Sequence, residues 1–110
     1  MKIICTPLTL EAMNLLDIND CPDSLLESVT LTDDEYEQFL ESGALEAINN
    51  TLGKMIDDYE DEAIDDIDEL NKSLAILKDH LTPGNSLTMK KLINLNTLAI
   101  KNRTGLFFYF

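Results

Sequence analysis

A chain of 110 residues with 45% apolar side chains is long enough to bury a core as one domain, and too apolar to be disordered. Its formal net charge of −13 repels anions, which argues against nucleic acid and anionic membrane as ligands and for a basic protein partner. The charge is also uneven: residues 1–79 hold all 21 acids and four of the eight bases, and residues 80–110 hold four bases and no acid.

No apolar stretch approaches membrane-spanning length. MKIICTPLTL lacks the form of a secretory signal, so a cytoplasmic location is expected. Cys5 and Cys21 form no CxxC and are expected as free thiols.

Lys2–Thr6 (KIICT) is β-branched and apolar and predicts a buried strand. Thr6 and Pro7 can start a helix as cap and first helical residue, running through Leu10, Met13, Leu15 and Leu16. Asp17–Asp23 is a turn region, and Ser24–Val29 reads as a short turn of helix. Thr32-Asp33-Asp34-Glu35 is a capping box, with Leu31 and Tyr36 spaced for a hydrophobic staple. The helix it opens is expected to bury Tyr36, Phe39 and Leu40 and to stop near Ser42-Gly43.

Leu45, Ile48, Leu52, Met55, Ile56 and Tyr59 mark a second helix. Asp65-Asp66-Ile67-Asp68 can cap a third, through Leu70, Leu74, Leu77 and Leu81. The periodicity leaves open whether residues 44–81 form one helix or two; like charges at i,i+4 favour a break at 63–65. Pro83-Gly84-Asn85 is a stop. Ser86 caps a last helix through Leu92, Leu95 and Ala99, ended by Gly105. Leu106–Phe110 (LFFYF) reads as an aromatic strand that would aggregate as an open edge. Pairing it with KIICT gives a predominantly helical α+β fold, with four to five helices and a small sheet joining the first and last strands.

The densest feature is acidic. Nine of the thirteen residues from Asp57 to Glu69 are Asp or Glu, and none is Lys or Arg. Ile56, Tyr59, Ala63, Ile64, Ile67 and Leu70 recur among them at spacings of three and four, which predicts one apolar helical face with carboxylates on the others. The candidate partner-binding residues are Asp57, Asp58, Tyr59, Glu60, Asp61, Glu62, Asp65, Asp66, Asp68 and Glu69. A charge run most often means a solvated face; the density here and the absence of interspersed Lys point to docking.

Other chemistry is not supported. Acid–base catalysis needs a carboxyl segregated in an apolar pocket, and these acids come in crowds. A calcium loop begun at Asp57 puts Tyr59 at position 3 and Glu62 at position 6, where an oxygen ligand and Gly are required. His80, the single histidine, sits where a helix C-terminus favours a donor. There is no phosphate-binding glycine loop. No enzyme activity, cofactor or metal is expected.

LTDDEYEQFLESGALEAINNTLGKMIDDYEDEAI, Leu31 to Ile64, together with AIKNRTGLFFYF, Ala99 to Phe110, resembles a small acidic bacterial family of immunity proteins from toxin–immunity pairs, of the contact-dependent growth-inhibition type. The resemblance implies a cytosolic, non-enzymatic protein that binds one cognate basic toxin domain, often a nuclease, and occludes its active site; separately, a monomer or weak dimer is expected. A nuclease site lined with Lys and Arg would be met by carboxylates standing in for phosphates. A DNA-mimic inhibitor of restriction or CRISPR enzymes is the alternative, but it would space its charges along a duplex rather than bunch them. An acidic secretion chaperone is the third reading; it requires an exposed apolar groove and usually a dimer.

Overall fold

The computed structural model describes residues 2–57 and 61–110. Among them lie four strands and five α-helices: β1 (Lys2–Pro7), α1 (Leu10–Asp17), β2 (Leu26–Leu31), α2 (Asp33–Glu41), α3 (Ala44–Leu52), β3 (Glu62–Ile64), α4 (Ile67–Asp79), α5 (Ser86–Asn102) and β4 (Leu106–Tyr109). The strands form one antiparallel sheet in the order β2-β1-β4-β3. The expected pairing of KIICT with the aromatic run is therefore its centre, with Ile4 opposite Phe108 and Cys5 opposite Phe107.

Alternation along the strands separates two faces. Ile4, Leu31, Ile64, Leu106 and Phe108 look into the core, where they meet Phe39, Ile48, Leu70, Leu77, Met89, Leu92 and Leu95 from the helices. Each such side chain contributes about 1.5–3 kcal/mol when fully withdrawn from water. Ile3, Cys5, Phe107 and Tyr109 occupy the other face, where Cys5 is buried and the other three are half-buried.

Polar bonds set the registers. Thr104 Oγ1 donates to the Pro7 carbonyl (2.7 Å) and lies 3.2 Å from Thr6 Oγ1, tying the start of β4 to β1. Ser73 donates to Asn96 Oδ1 (2.6 Å), and Asn96 Nδ2 donates to the Leu70 carbonyl (3.0 Å), which locks α4 on α5. The capping box forms as expected: Thr32 Oγ1 accepts from the Glu35 amide and Glu35 Oε1 from the Thr32 amide. Lys91 bonds the other Glu35 oxygen at 2.5 Å, and this bond, followed by that to the Thr32 amide, holds the Glu35 carboxyl below its usual range. Tyr36, the staple residue, packs edge-on against Phe110 with centroids 5.1 Å apart.

Several local expectations are corrected. Pro7 ends β1 instead of opening a helix, and Thr9 caps α1 by accepting from the Ala12 amide. The Ser24–Val29 helical turn is a 3-10 turn, Asp23–Leu25, that leads directly into β2. Leu40 is 45% exposed, so α2 buries Phe39 without it. Asn85, not Ser86, is the residue at the start of α5; its side chain accepts from the Thr82 amide and donates to the His80 carbonyl. Arg103, left-handed at φ 55, ends α5 two residues before Gly105. His80 does close α4, with Nδ1 2.8 Å from the Ile76 carbonyl.

Candidate functional site

The acidic tract is not the single helical face that its periodicity predicts. Gly53 adopts a left-handed φ of 65° and stops α3 at Leu52, with the Lys54 amide bonded to the Asn49 carbonyl at 3.0 Å. Met55, expected on the buried stripe, is 63% exposed. Ile56 is buried by another route: Asn49 Oδ1 accepts from its amide (2.9 Å) and Asn49 Nδ2 donates to its carbonyl (3.1 Å). The side chain at the end of α3 thus aims the following backbone back into the core.

Asp58, Tyr59 and Glu60 lie outside the described residues. The chain then forms β3 on the edge of the sheet, where Ile64 pairs with Leu106 and is fully buried. Gly105 allows this approach, since a Cβ there would come 2.9 Å from the Ile64 carbonyl oxygen and 3.2 Å from Asp65 Cα. Asp66 then opens α4, accepting from the Glu69 amide at 3.0 Å. The break favoured between two helices is present, and a strand occupies it.

The tract's acids consequently fall into two groups. Glu62, Asp66 and Glu69 serve the fold. Glu62 Oε1 takes the amide of Ala63, Asp66 caps a helix, and Glu69 lies 3.8 Å from Lys54, which ties the segment after α3 to the first turn of α4. Asp57 is half-buried and has an interaction partner. Asp61, Asp65 and Asp68 are exposed, and among the described residues none has a Lys or Arg ion-pair partner. They project from the strand entry, the strand exit and the first turn of α4.

Apolar side chains accompany them. Besides Met55, Ile67 is 46% exposed. A groove of about 480 Å³ opens beside Asp65, lined by Ile67, Leu70, Asn71, Ile100, Arg103 and Thr104. Tyr109 brings an aromatic ring to the opposite sheet face. Burial pushes its hydroxyl up to about 12, with Cys5, Asp61 and Asp17 adding to the shift. Asp17, at the end of α1, thus acts on the same hydroxyl as Asp61; no spacing in the sequence relates the two. Among the described residues no group of three or more His, Cys, Asp or Glu could hold a metal ion, and no helix is long and apolar enough to cross a membrane.

No family model, curated protein or solved structure matches this chain.

Proposed function

We propose that this chain is an immunity-type inhibitor that binds and neutralises a basic toxin domain, most simply a nuclease, by laying the acidic edge of its sheet over a cationic active site. The observation that carries the reading is the set of exposed carboxylates of Asp61, Asp65 and Asp68, which have no Lys or Arg ion-pair partner among the described residues and stand among the exposed Met55 and Ile67. Like charges crowded together repel, and a cationic partner relieves that repulsion while speeding encounter at low salt. Affinity needs desolvated anchors as well as charge. Met55, Ile67 and the groove beside Asp65 supply apolar contact, and Tyr109, half-buried near Asp61, supplies an aromatic anchor. In this reading the chain acts in the cytoplasm, has no catalytic residue and uses no cofactor.

The test is capture from the native host followed by mass spectrometry, then titration of the captured basic domain by calorimetry. Joint replacement of Asp61, Asp65 and Asp68 by Lys should weaken binding at least tenfold, or about 1.4 kcal/mol. Unchanged affinity in a folded triple variant would remove the acidic edge from the interface.

A further inference from the structure

The two edges of the sheet are treated differently. At β3 the edge is three residues long, and its outward amide, that of Ala63, is taken by the Glu62 carboxylate. At β2 the edge is six residues long, LESVTL, with no Pro, no Lys and one acid, Glu27. The register shows which of its backbone groups are open. The Leu8 amide donates to the Leu25 carbonyl at 3.0 Å, continuing the β1–β2 ladder. Alternation then turns Glu27, Val29 and Leu31 toward β1, and Leu26, Ser28 and Thr30 away from it. Leu26 gives its amide to the Asp23 carbonyl. Ser28 and Thr30, both exposed, present their amides and carbonyls to the open side.

Beside this edge runs a groove of about 380 Å³ between β2 and α5, lined by Glu27, Val29, Lys91, Asn94, Leu95 and Leu98. It has a charge at each end. Glu27 lies near the start of β2, and Lys91 lies by the far end, where it bonds Glu35 in the first turn of α2.

We propose that β2 is the interface of a two-fold dimer of this chain, in which the β2 strands of two copies pair antiparallel across the open edge. The outward groups dictate the register. Ser28 of each copy pairs with Thr30 of the other, each pair exchanging both of its hydrogen bonds. The axis then passes through Val29, which meets Val29 of the second copy over the apolar groove. Glu27 falls opposite Leu31 of the second copy, one residue from the turn where that copy's Lys91 sits. An acid at one end of the groove and a base at the other become self-complementary only in an antiparallel, two-fold arrangement, which is what an isologous contact requires. Asp23, Asp33 and Asp34 flank β2 and repel across this contact, but the dense acidic edge at β3 stands clear of it. Strands spaced about 4.8 Å apart put β3 roughly 14 Å from β2, beyond the screening length of about 8 Å at physiological salt. Pairing through β2 leaves the acidic edges at the two outer ends of an eight-stranded sheet, so the dimer is compatible with the binding surface proposed above and independent of it.

Symmetric cross-linking tests the register. In a Cys21→Ser background, Val29→Cys places two thiols across a non-hydrogen-bonded pair, where Cα atoms stand about 4.5 Å apart, within disulfide range. Mild oxidation with glutathione disulfide should give a covalent dimer, whereas Thr30→Cys, on the opposite sheet face, should stay monomeric. Sedimentation velocity at about 0.5 mM, where a Kd of about 100 μM or tighter puts most of the chain in the dimer, should show a dimer for the native sequence. Ser28→Pro should return it to monomer, since Pro there removes an outward amide and no β1–β2 bond. Glu27→Lys should weaken dimerisation, and Glu27→Lys with Lys91→Glu should restore it. A native chain that stays monomeric at that concentration overturns the proposal. So does equal cross-linking at positions 29 and 30, or a dimer unaffected by Ser28→Pro in a variant with native circular dichroism.

Discussion

Asn49 is the residue on which the course of the acidic tract depends, and its replacement gives the sharpest test of the architecture. Its amide group both accepts from and donates to Ile56, at 2.9 and 3.1 Å, and Ile56 is 1% exposed. Asn49→Ala removes both bonds and leaves a backbone amide and carbonyl next to the core without partners. At about 1 kcal/mol net per bond the loss is about 2 kcal/mol, rising toward 4 if the orphaned groups stay dry. With an unfolding entropy of about 2.1 cal/mol/K per residue, 2 kcal/mol lowers the Tm of a chain this size by roughly 8–10 °C. Urea and thermal melts followed by far-UV circular dichroism measure this directly. Asn50→Ala, one residue on and exposed, is the control and should shift stability by less than about 0.5 kcal/mol. If Asn49→Ala melts with the native chain, the clasp does not hold the tract, and Ile56 is buried for some other reason.

Gly105→Ala should destabilise by about 1–3 kcal/mol, because the new methyl meets the Ile64–Asp65 backbone, which has no flexible end to move aside; a neutral result in urea melts would show that β3 is not seated there. The alkaline limb of stability should reflect two groups held neutral by burial. The Cys5 thiol is pushed from 9.0 up to about 11 and the Tyr109 hydroxyl from 10.0 up to about 12. The unfolded chain sheds these protons first, so stability is intact below pH 9 and falls as pH rises through 11–12. Urea midpoints between about pH 8 and 10.5 should decline less steeply for Cys5→Ala than for the native chain, and equal slopes would contradict the assignment.

Some of this fold is legible in the residues, and the limits have physical causes. The capping box at Thr32 is a local chemical signal and needs nothing distant to form. KIICT and LFFYF declare themselves by composition, and an aromatic strand needs a cover. By contrast, LESVTL has one β-branched apolar residue and weak alternation, so β2 is stabilised by its partner β1 and not by its own propensity. The sequence EAI of β3 carries no strand signal at all; its pairing with β4 is a non-local decision. The helical reading of the tract fails at two places, Gly53 ahead of it and the β3 pairing of Glu62–Ile64 within it. Met55 and Ile56 continue the three-and-four spacing past Leu52, but Gly53 breaks the helix and Asn49 buries Ile56 by hydrogen bonding. The candidate site suffers the same way. The acids are where the sequence puts them, but their division into Glu62, Asp66 and Glu69, which hold the fold, and Asp61, Asp65 and Asp68, which face water, depends on backbone direction. The proximity of Asp17 and Asp61 to Tyr109 depends on sheet order.

That sheet order also has a consequence for biosynthesis. β1 is translated before the five described helices and β4 after them, so one side of β1 is completed only once those helices have been made. Until then β1 can pair only with β2, across the α1 connection, and its other side is an exposed apolar edge. Until β4 arrives the apolar side of KIICT is an aggregation-prone edge, and it is the pairing of β4, not formation of the helices, that closes the sheet over it.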